Sequence, residues 1–222
     1  MRGVGKTLRG RRIISDVDLT VPRGSIAVLE GDNGAGKTTL IRILATVVSP
    51  DEGTALVNGH SVITEGMEVR RSIGVSFANE RSLYWRLNAF QNLELFGKIS
   101  GLSKRVIARR SNALVEELQL GAVANGQVMR MSTGQRQRLM VARALLNDPT
   151  VLLLDEPFRG LDEQGLDALC RLVVRRAASG MTLFIVAPLI AAVTPIADAS
   201  YRIDEGTVRR VPLGQTEPME YP

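Results

Sequence analysis

The sequence predicts an α/β fold in which a parallel sheet is covered by helices on both faces. Three observations carry this. A short apolar run at 26–30, IAVLE, leads through a glycine-rich loop into a helical pattern at 38–48, TTLIRILATVV. Two further apolar runs, VLLLDEP at 151–157 and TLFIVA at 182–187, lack the alternation of a strand with one wet face. An amphipathic helical pattern at 166–177, LDALCRLVVRRA, lies between them, and such strand–helix alternation specifies a parallel sheet.

The remaining elements follow in chain order. Residues 12–21, RIISDVDLTV, alternate partially and read as a strand, with PRG at 22–24 as a turn. PDEG stops the 38–48 helix, and 54–63 form a strand pair around Asn58-Gly59, a favoured hairpin turn. From about 84 to 146 the pattern is mostly helical, with LVEELQL at 114–120 amphipathic. That stretch is too long for a simple crossover and predicts a lobe inserted into the core. There is no internal repeat.

Composition bounds the function. A length of 222 residues suits one large domain, or one domain carrying an inserted lobe. With 45% apolar and 23% charged residues the chain is neither disordered nor fibrous. One cysteine, Cys170, excludes an internal disulfide and a cysteine-built zinc site, and its place on the 166–177 helix predicts a core residue. The one histidine, His60, follows the Asn58-Gly59 turn and is expected at the surface. The net charge is +5, and only four basic residues are lysine: Lys6, Lys37, Lys98 and Lys104. The arginines fall in short groups with few aromatics between them, unlike a nucleic-acid face, so no nucleic acid partner is expected. Solvated surface charge is the plain reading, and attraction to anionic lipid is the alternative.

Arg9, Arg11 and Arg12 interrupt any signal-peptide pattern. Residues 177–197 carry no charge, but Gly180, Pro188 and Pro195 divide them into strand, break and helix start rather than a membrane span. A cytoplasmic location is expected.

The chemistry begins at GDNGAGKTT, residues 31–39, which matches G-x-x-x-x-G-K-[ST] between a strand and a helix. Gly31, Gly34 and Gly36 permit a tight loop, and the amides of Gly31, Asp32, Asn33, Gly34, Ala35 and Gly36 can turn toward phosphate oxygens. Lys37 is placed to reach the β- and γ-phosphates, Thr38 to hold Mg²⁺, and Thr39 completes the motif. The helix start adds its positive end. VLLLDE supplies the complement: Asp155 to orient Mg²⁺, directly or through water, and Glu156 to polarise the attacking water.

Between these halves stands MSTGQRQRLMVARALLNDP at 131–149, where Ser132, Gly134 and nearby amides could bind phosphate from outside and Gln135 starts a basic helix. The order GDNGAGKTT, STGQRQR, VLLLDEP, then GLD at 160–162 resembles the nucleotide-binding subunit of an ATP-binding cassette (ABC) transporter over residues 12–206. The resemblance implies a P-loop NTPase core with a mixed, largely parallel sheet, an N-terminal antiparallel β portion and an inserted helical subdomain. Its boundaries would be a core of about 1–80 and 147–211, a helical subdomain of about 81–146 and a tail from 212. It also implies a head-to-tail dimer with two ATP sandwiched between subunits. Lys37 and Thr38 of one chain would face Ser132, Thr133, Gly134 and Gln135 of the other, with Leu161 and Asp162 communicating across the interface. A separate integral-membrane permease would dock between core and lobe, so the subunit would lie on the cytoplasmic side of the cell membrane. Thr133 and the stretch ERSLYWRLNAFQNLELFG at 80–97 resemble export-type subunits, in which Tyr84 and Trp85 are either permease contacts or packed core.

Three residues depart from the family pattern. Ala187-Pro188 stands where Thr-His is usual, and proline offers neither donor nor titratable nitrogen to the γ-phosphate. The counterpart of the glutamine that reaches Mg²⁺ and the attacking water is Asn79, one methylene shorter. Leu8 stands where an aromatic stacks on adenine. All three would serve this chain's own phosphate loop, while STGQ, which would serve a partner's, is intact. This predicts a slow or ATP-retaining site in a heterodimer, with a weakly hydrolysing homodimer as the alternative; retained Glu156 argues for turnover. Chromosome ATPases with coiled-coil arms need a longer insertion between Lys37 and Ser132, and translation-factor relatives carry two cassettes. A regulatory module that binds ATP without cycling is the remaining competitor.

Overall fold

The computed structural model describes residues 1–78, 82–187 and 194–213. Its centre is a six-stranded sheet. The strands are β3 (Ile26–Glu30), β7 (Ile73–Ser76), β8 (Val151–Asp155), β9 (Thr182–Val186), β10 (Ala199–Asp204) and β11 (Thr207–Val211), in the order β11-β10-β3-β9-β8-β7. All neighbours are parallel except the edge pair β10–β11. The apolar runs are continuous because both faces are covered, yet period two still sorts them. Ile26, Val28, Leu152, Leu154, Leu183 and Ile185 join one core cluster, and Ala27, Leu29, Leu153, Phe184 and Val186 join the other.

The first face packs against α3 (Ala89–Ile99), α4 (Lys104–Glu117), α5 (Thr133–Leu145) and α6 (Glu163–Ala178), whose Leu93, Leu114, Met140 and Leu172 share its cluster. The expected helical stretch is therefore helical, but it buries its apolar side in the same core as the sheet. Arg176 of α6 pairs with Glu117 of α4 at 2.6 Å. The second face packs against α1 (Lys37–Leu44) and an antiparallel sheet of β2 (Arg11–Val17), β1 (Arg2–Leu8) and β4 (Glu52–Thr54).

β1 and β4 have no clear signal in the sequence. β1 carries Gly3 and Gly5 and little alternation, but a Cβ on Gly5 would strike the side chains of Arg12 and Glu52, which pair at 2.5 Å. Glycine lets that ion pair cross the strand. β2 is shorter than the reading of 12–21, ending at Val17. The helix expected over 38–48 stops at Leu44: Thr46 turns left-handed at φ 60°, and the amides of Val47 and Val48 both return to the Arg42 carbonyl. The short helix α2 (Gly66–Ser72) was not read from the sequence. The hairpin at Asn58-Gly59 forms as β5 (Leu56–Val57) and β6 (His60–Ser61), with both turn residues at positive φ.

Cys170 is half-buried rather than core, and burial pushes its thiol up. His60 bonds Glu65 at 3.0 Å. Of the uncharged stretch at 177–197, residues 182–186 form β9, and among the described residues no helix is long and apolar enough to cross a membrane. The expected helix start at 188–193 and most of the tail lie outside the described residues.

Candidate functional site

The parallel strands deliver their chemistry at one end, where β3 opens into the loop 31–36, β8 ends in Asp155 and β9 ends at Val186. Each loop glycine is held for a different reason. Gly31 lies against the Ile203 carbonyl, and a Cβ there would come within 2.4 Å of it. Gly36, at φ 110°, lies against Ile14 and the Ile13 carbonyl of β2. Gly34, at φ 86°, has open space where a Cβ would stand. The loop is thus clamped at its ends by the core and open in the middle.

Lys37 is buried (6% exposed), and its Nζ donates to the carbonyls of Gly31 at 2.5 Å and Asp32 at 2.8 Å, closing the loop from within. Burial lowers its pKa, against the opposing pull of Glu156, Asp155 and Asp32. The Ala35 amide donates to the Asp32 carbonyl, while Asp32 and Asn33 are exposed and Thr39 is buried. Gly36 caps α1 with no side-chain hydrogen bond, whereas Asn88, Ser103, Ser132 and Asp162 cap the four longer helices with theirs. The first-turn amides of α1 are therefore left for another acceptor.

Thr38 Oγ1 donates to Asp155 Oδ2 at 2.9 Å, joining the loop to β8 across 117 positions of sequence. Asp155 is 2% exposed, and burial raises its carboxyl pKa, aided by the charge of Glu156 and opposed by Thr38, Ala78 and Lys37. A hydroxyl and a carboxylate meeting in a buried corner beside a lysine suit a small hard cation such as Mg²⁺, whose oxygen ligands they would supply. The next residue, Glu156, is in the left-handed region at φ 50°, and its side chain is 21% exposed.

Ser132 and Thr133 are exposed at the N-terminus of α5. Ser132 and Gln135 form a reciprocal cap: the Gln135 amide donates to Ser132 Oγ at 3.2 Å, and the Ser132 amide to Gln135 Oε1 at 2.9 Å. The Gln135 side chain, read as a nucleotide contact, is thus engaged in the cap. Gly134 is required by packing, since a Cβ would meet the Gly160 carbonyl at 2.6 Å. The signature segment is therefore set against the loop that follows Glu156. Asn79 and Pro188 lie outside the described residues.

Two buried polar neighbours of the site escaped sequence reading. Gln137 is 3% exposed and donates from Nε2 to the Glu156 carbonyl at 3.2 Å. Its signal was available: it stands on the buried stripe of α5 with Gly134, Met140, Val141 and Ala144, where a polar side chain must have a partner. Arg138, also buried, donates to the Leu118 carbonyl at 2.9 Å, closing the C-terminus of α4. Tyr84 and Trp85 are exposed at 55% and 46%, which favours the surface alternative over packed core. Asn92 holds their loop by accepting from the Tyr84 amide and donating to its carbonyl, and the Arg136 guanidinium lies 5.7 Å from the Trp85 ring centre.

A sequence profile described as "ABC transporter" matches residues 14–159. The chain belongs to the ABC transporter family. This ABC family member is 32% identical over 197 residues to the ABC transporter ATP-binding protein NatA of Bacillus subtilis, covering 89% of this chain and 80% of that one. It is 39% identical over 187 residues to Nod factor export ATP-binding protein I of Cupriavidus pinatubonensis, covering 83% of this chain and 57% of the relative. The cassette therefore spans little more than half of that second protein. Among solved structures, it resembles a dimeric bacterial ABC transporter cassette, MJ0796, with TM-score 0.85 and 25% identity over 97% of this chain and 98% of the other. The α/β architecture with its mixed, mostly parallel sheet is that of ABC ATPase cassettes.

Proposed function

We propose that this chain is the ATP-binding and hydrolysing subunit of an export-type ABC transporter, acting through a separate integral-membrane permease by ATP-dependent dimerisation. The observation that carries this is the Thr38–Asp155 hydrogen bond, which sets the phosphate loop, a buried lysine and the Asp155-Glu156 pair in one corner. The relative named for Nod factor export supports the direction, and the dimeric cassette supports the assembly.

In this reading the amides of 31–36 and of the first turn of α1 receive the phosphates, with Gly34 leaving room for close approach. Lys37 exchanges its two carbonyl partners for phosphate oxygens, and Thr38 and Asp155 hold Mg²⁺. The metal, when bound, offsets phosphate charge as the terminal phosphoryl group leaves. Glu156 orients and deprotonates the attacking water. Exposed Ser132 and Thr133, with Gly134 buried behind them, close over the nucleotide of a second ATP-binding subunit. Residues of about 81–146, which contain α3, α4 and α5, act as the helical subdomain, and exposed Tyr84 and Trp85 meet the permease. No nucleic acid takes part, and the subunit sits peripherally on the cytoplasmic side of the cell membrane.

A second reading is favoured by Pro188, which stands where the family pattern has histidine: the chain binds ATP and turns it over slowly, completing a faster site in a heterodimer. The test measures ATP binding, hydrolysis and sedimentation of the unmodified chain, K37A and E156Q. K37A should lose ATP binding; E156Q should bind ATP normally, lose hydrolysis and sediment as an ATP-dependent dimer. Full ATP binding by K37A would sink the assignment.

A further inference from the structure

We infer that Gln137 is a positioning residue for Glu156, and that through it the helix presenting Ser132–Gly134 to a partner's nucleotide also sets the hydrolytic carboxylate of its own chain. The inference rests on the reading of Glu156 as the residue that acts on water.

Glu156 has an unusual backbone. At φ 50° it occupies a region that costs a residue with a Cβ free energy, so its peptide has to be held from outside. It is held from two sides. Its amide donates to the Val186 carbonyl at the end of β9, at 2.7 Å, and its carbonyl accepts from Gln137 Nε2 of α5, at 3.2 Å. The Arg159 amide of its own turn donates to the same carbonyl at 3.3 Å. The Val186 bond continues the β8–β9 ladder at the end of the sheet, while the Gln137 bond comes from a side chain with no role in any ladder. Gln137 is 3% exposed on a stripe that is otherwise apolar or glycine, a place where methionine or leucine would pack without the requirement of a buried amide partner. The same helix makes a second attachment one turn earlier, where Gly134 and Thr133 lie against Gly160. The segment from Glu156 to Gly160 is thereby fastened at both ends to the first turns of α5. A displacement of those turns on dimer closure moves the Glu156 peptide with them.

The test compares single-turnover hydrolysis of Mg²⁺-ATP, with protein in excess, by the unmodified chain, Q137M, Q137E, E156Q and the double variant Q137M/E156Q. Q137M keeps the shape and removes the donor; Q137E keeps the shape and places an acceptor against the carbonyl. Melting temperature and ATP Kd are measured alongside. The expected result is a loss of about tenfold in hydrolysis rate for Q137M and Q137E, the order of one lost hydrogen bond, with ATP Kd within about twofold of the unmodified chain. In the slow residual hydrolysis that E156Q retains over long single-turnover incubation, Q137M should cause no further loss, because both act at one group. Unchanged hydrolysis in Q137M, or a loss that adds in full to that of E156Q, overturns the positioning role alone. A parallel fall in melting temperature, ATP affinity and rate does the same and makes Gln137 a packing residue. Unchanged hydrolysis in E156Q, or none in the unmodified chain, overturns the role of Glu156 and this inference with it.

Discussion

Burial of Asp155 carries a cost. The residue is 2% exposed, and burial holds its carboxyl pKa above the ordinary value despite the Thr38 and Ala78 hydrogen bonds. Between those two values this group binds more protons in the folded chain than in the unfolded one, so its own contribution to stability is most favourable at low pH and falls as pH rises through that window. D155N removes the buried charge while its amide oxygen can still accept from Thr38. It gives up the smaller stabilisation of the Ala78 hydrogen bond, because the new NH₂ cannot accept. It should therefore melt higher than the unmodified chain at neutral pH, each kcal/mol shifting Tm by about 2–4 °C, and should lose Mg²⁺-dependent hydrolysis. Scanning calorimetry at neutral and acidic pH checks this, and an equal or lower Tm at neutral pH would refute it. The motif located Asp155 in the sequence, but the bond to Thr38 was not legible there, because it joins residues 117 positions apart.

Glycines of the two motifs differ in what constrains them, and the difference belongs to the elements around them. Gly134 opens α5 against the Gly160 carbonyl, so an added Cβ must push helix and loop apart. Gly34 faces open space, and an added Cβ there meets only its own unfavourable φ of 86°. G134A should be destabilised by about 1–3 kcal/mol, as overpacking typically costs. G34A should lose about 1 kcal/mol or less in stability and a larger factor in ATP affinity. Denaturant unfolding with and without ATP separates the two, and the reverse order would contradict the packing argument. The same elements show the limits of periodicity. α6 was readable because its apolar face repeats over four turns and Asp162 caps it. β1 was not, because Gly3 and Gly5 suit neighbouring side chains rather than any local preference.

For the assembled protein, the proposed reading makes Pro188 a matter of turnover rather than binding. In the proposed reading the 31–36 loop and Lys37 receive the phosphates, so ATP affinity should be unaffected by P188H. Restoring a contact to the terminal phosphate should raise hydrolysis by about 10²–10³, the range for one well-placed transition-state donor. Steady-state hydrolysis by P188H and the unmodified chain, with their partner subunits present, measures this; equal rates would exclude an impaired site. The histidine content already points the same way. His60, the only one in the sequence, is paired with Glu65 beside a hairpin turn.

Local chemistry written in the chain fixes much of this protein: three apolar runs long enough only for buried strands, a loop whose glycines and lysine suit phosphate, and an acid pair closing a strand. These are legible because each depends on residues adjacent in sequence. The order of the strands is not, nor is the pairing of β1 with β4 behind α1, nor the fastening of Glu156 to α5 through Gln137. Those depend on contacts between distant segments, where a glycine or a buried amide is selected by what packs against it, and no neighbour along the chain records that choice.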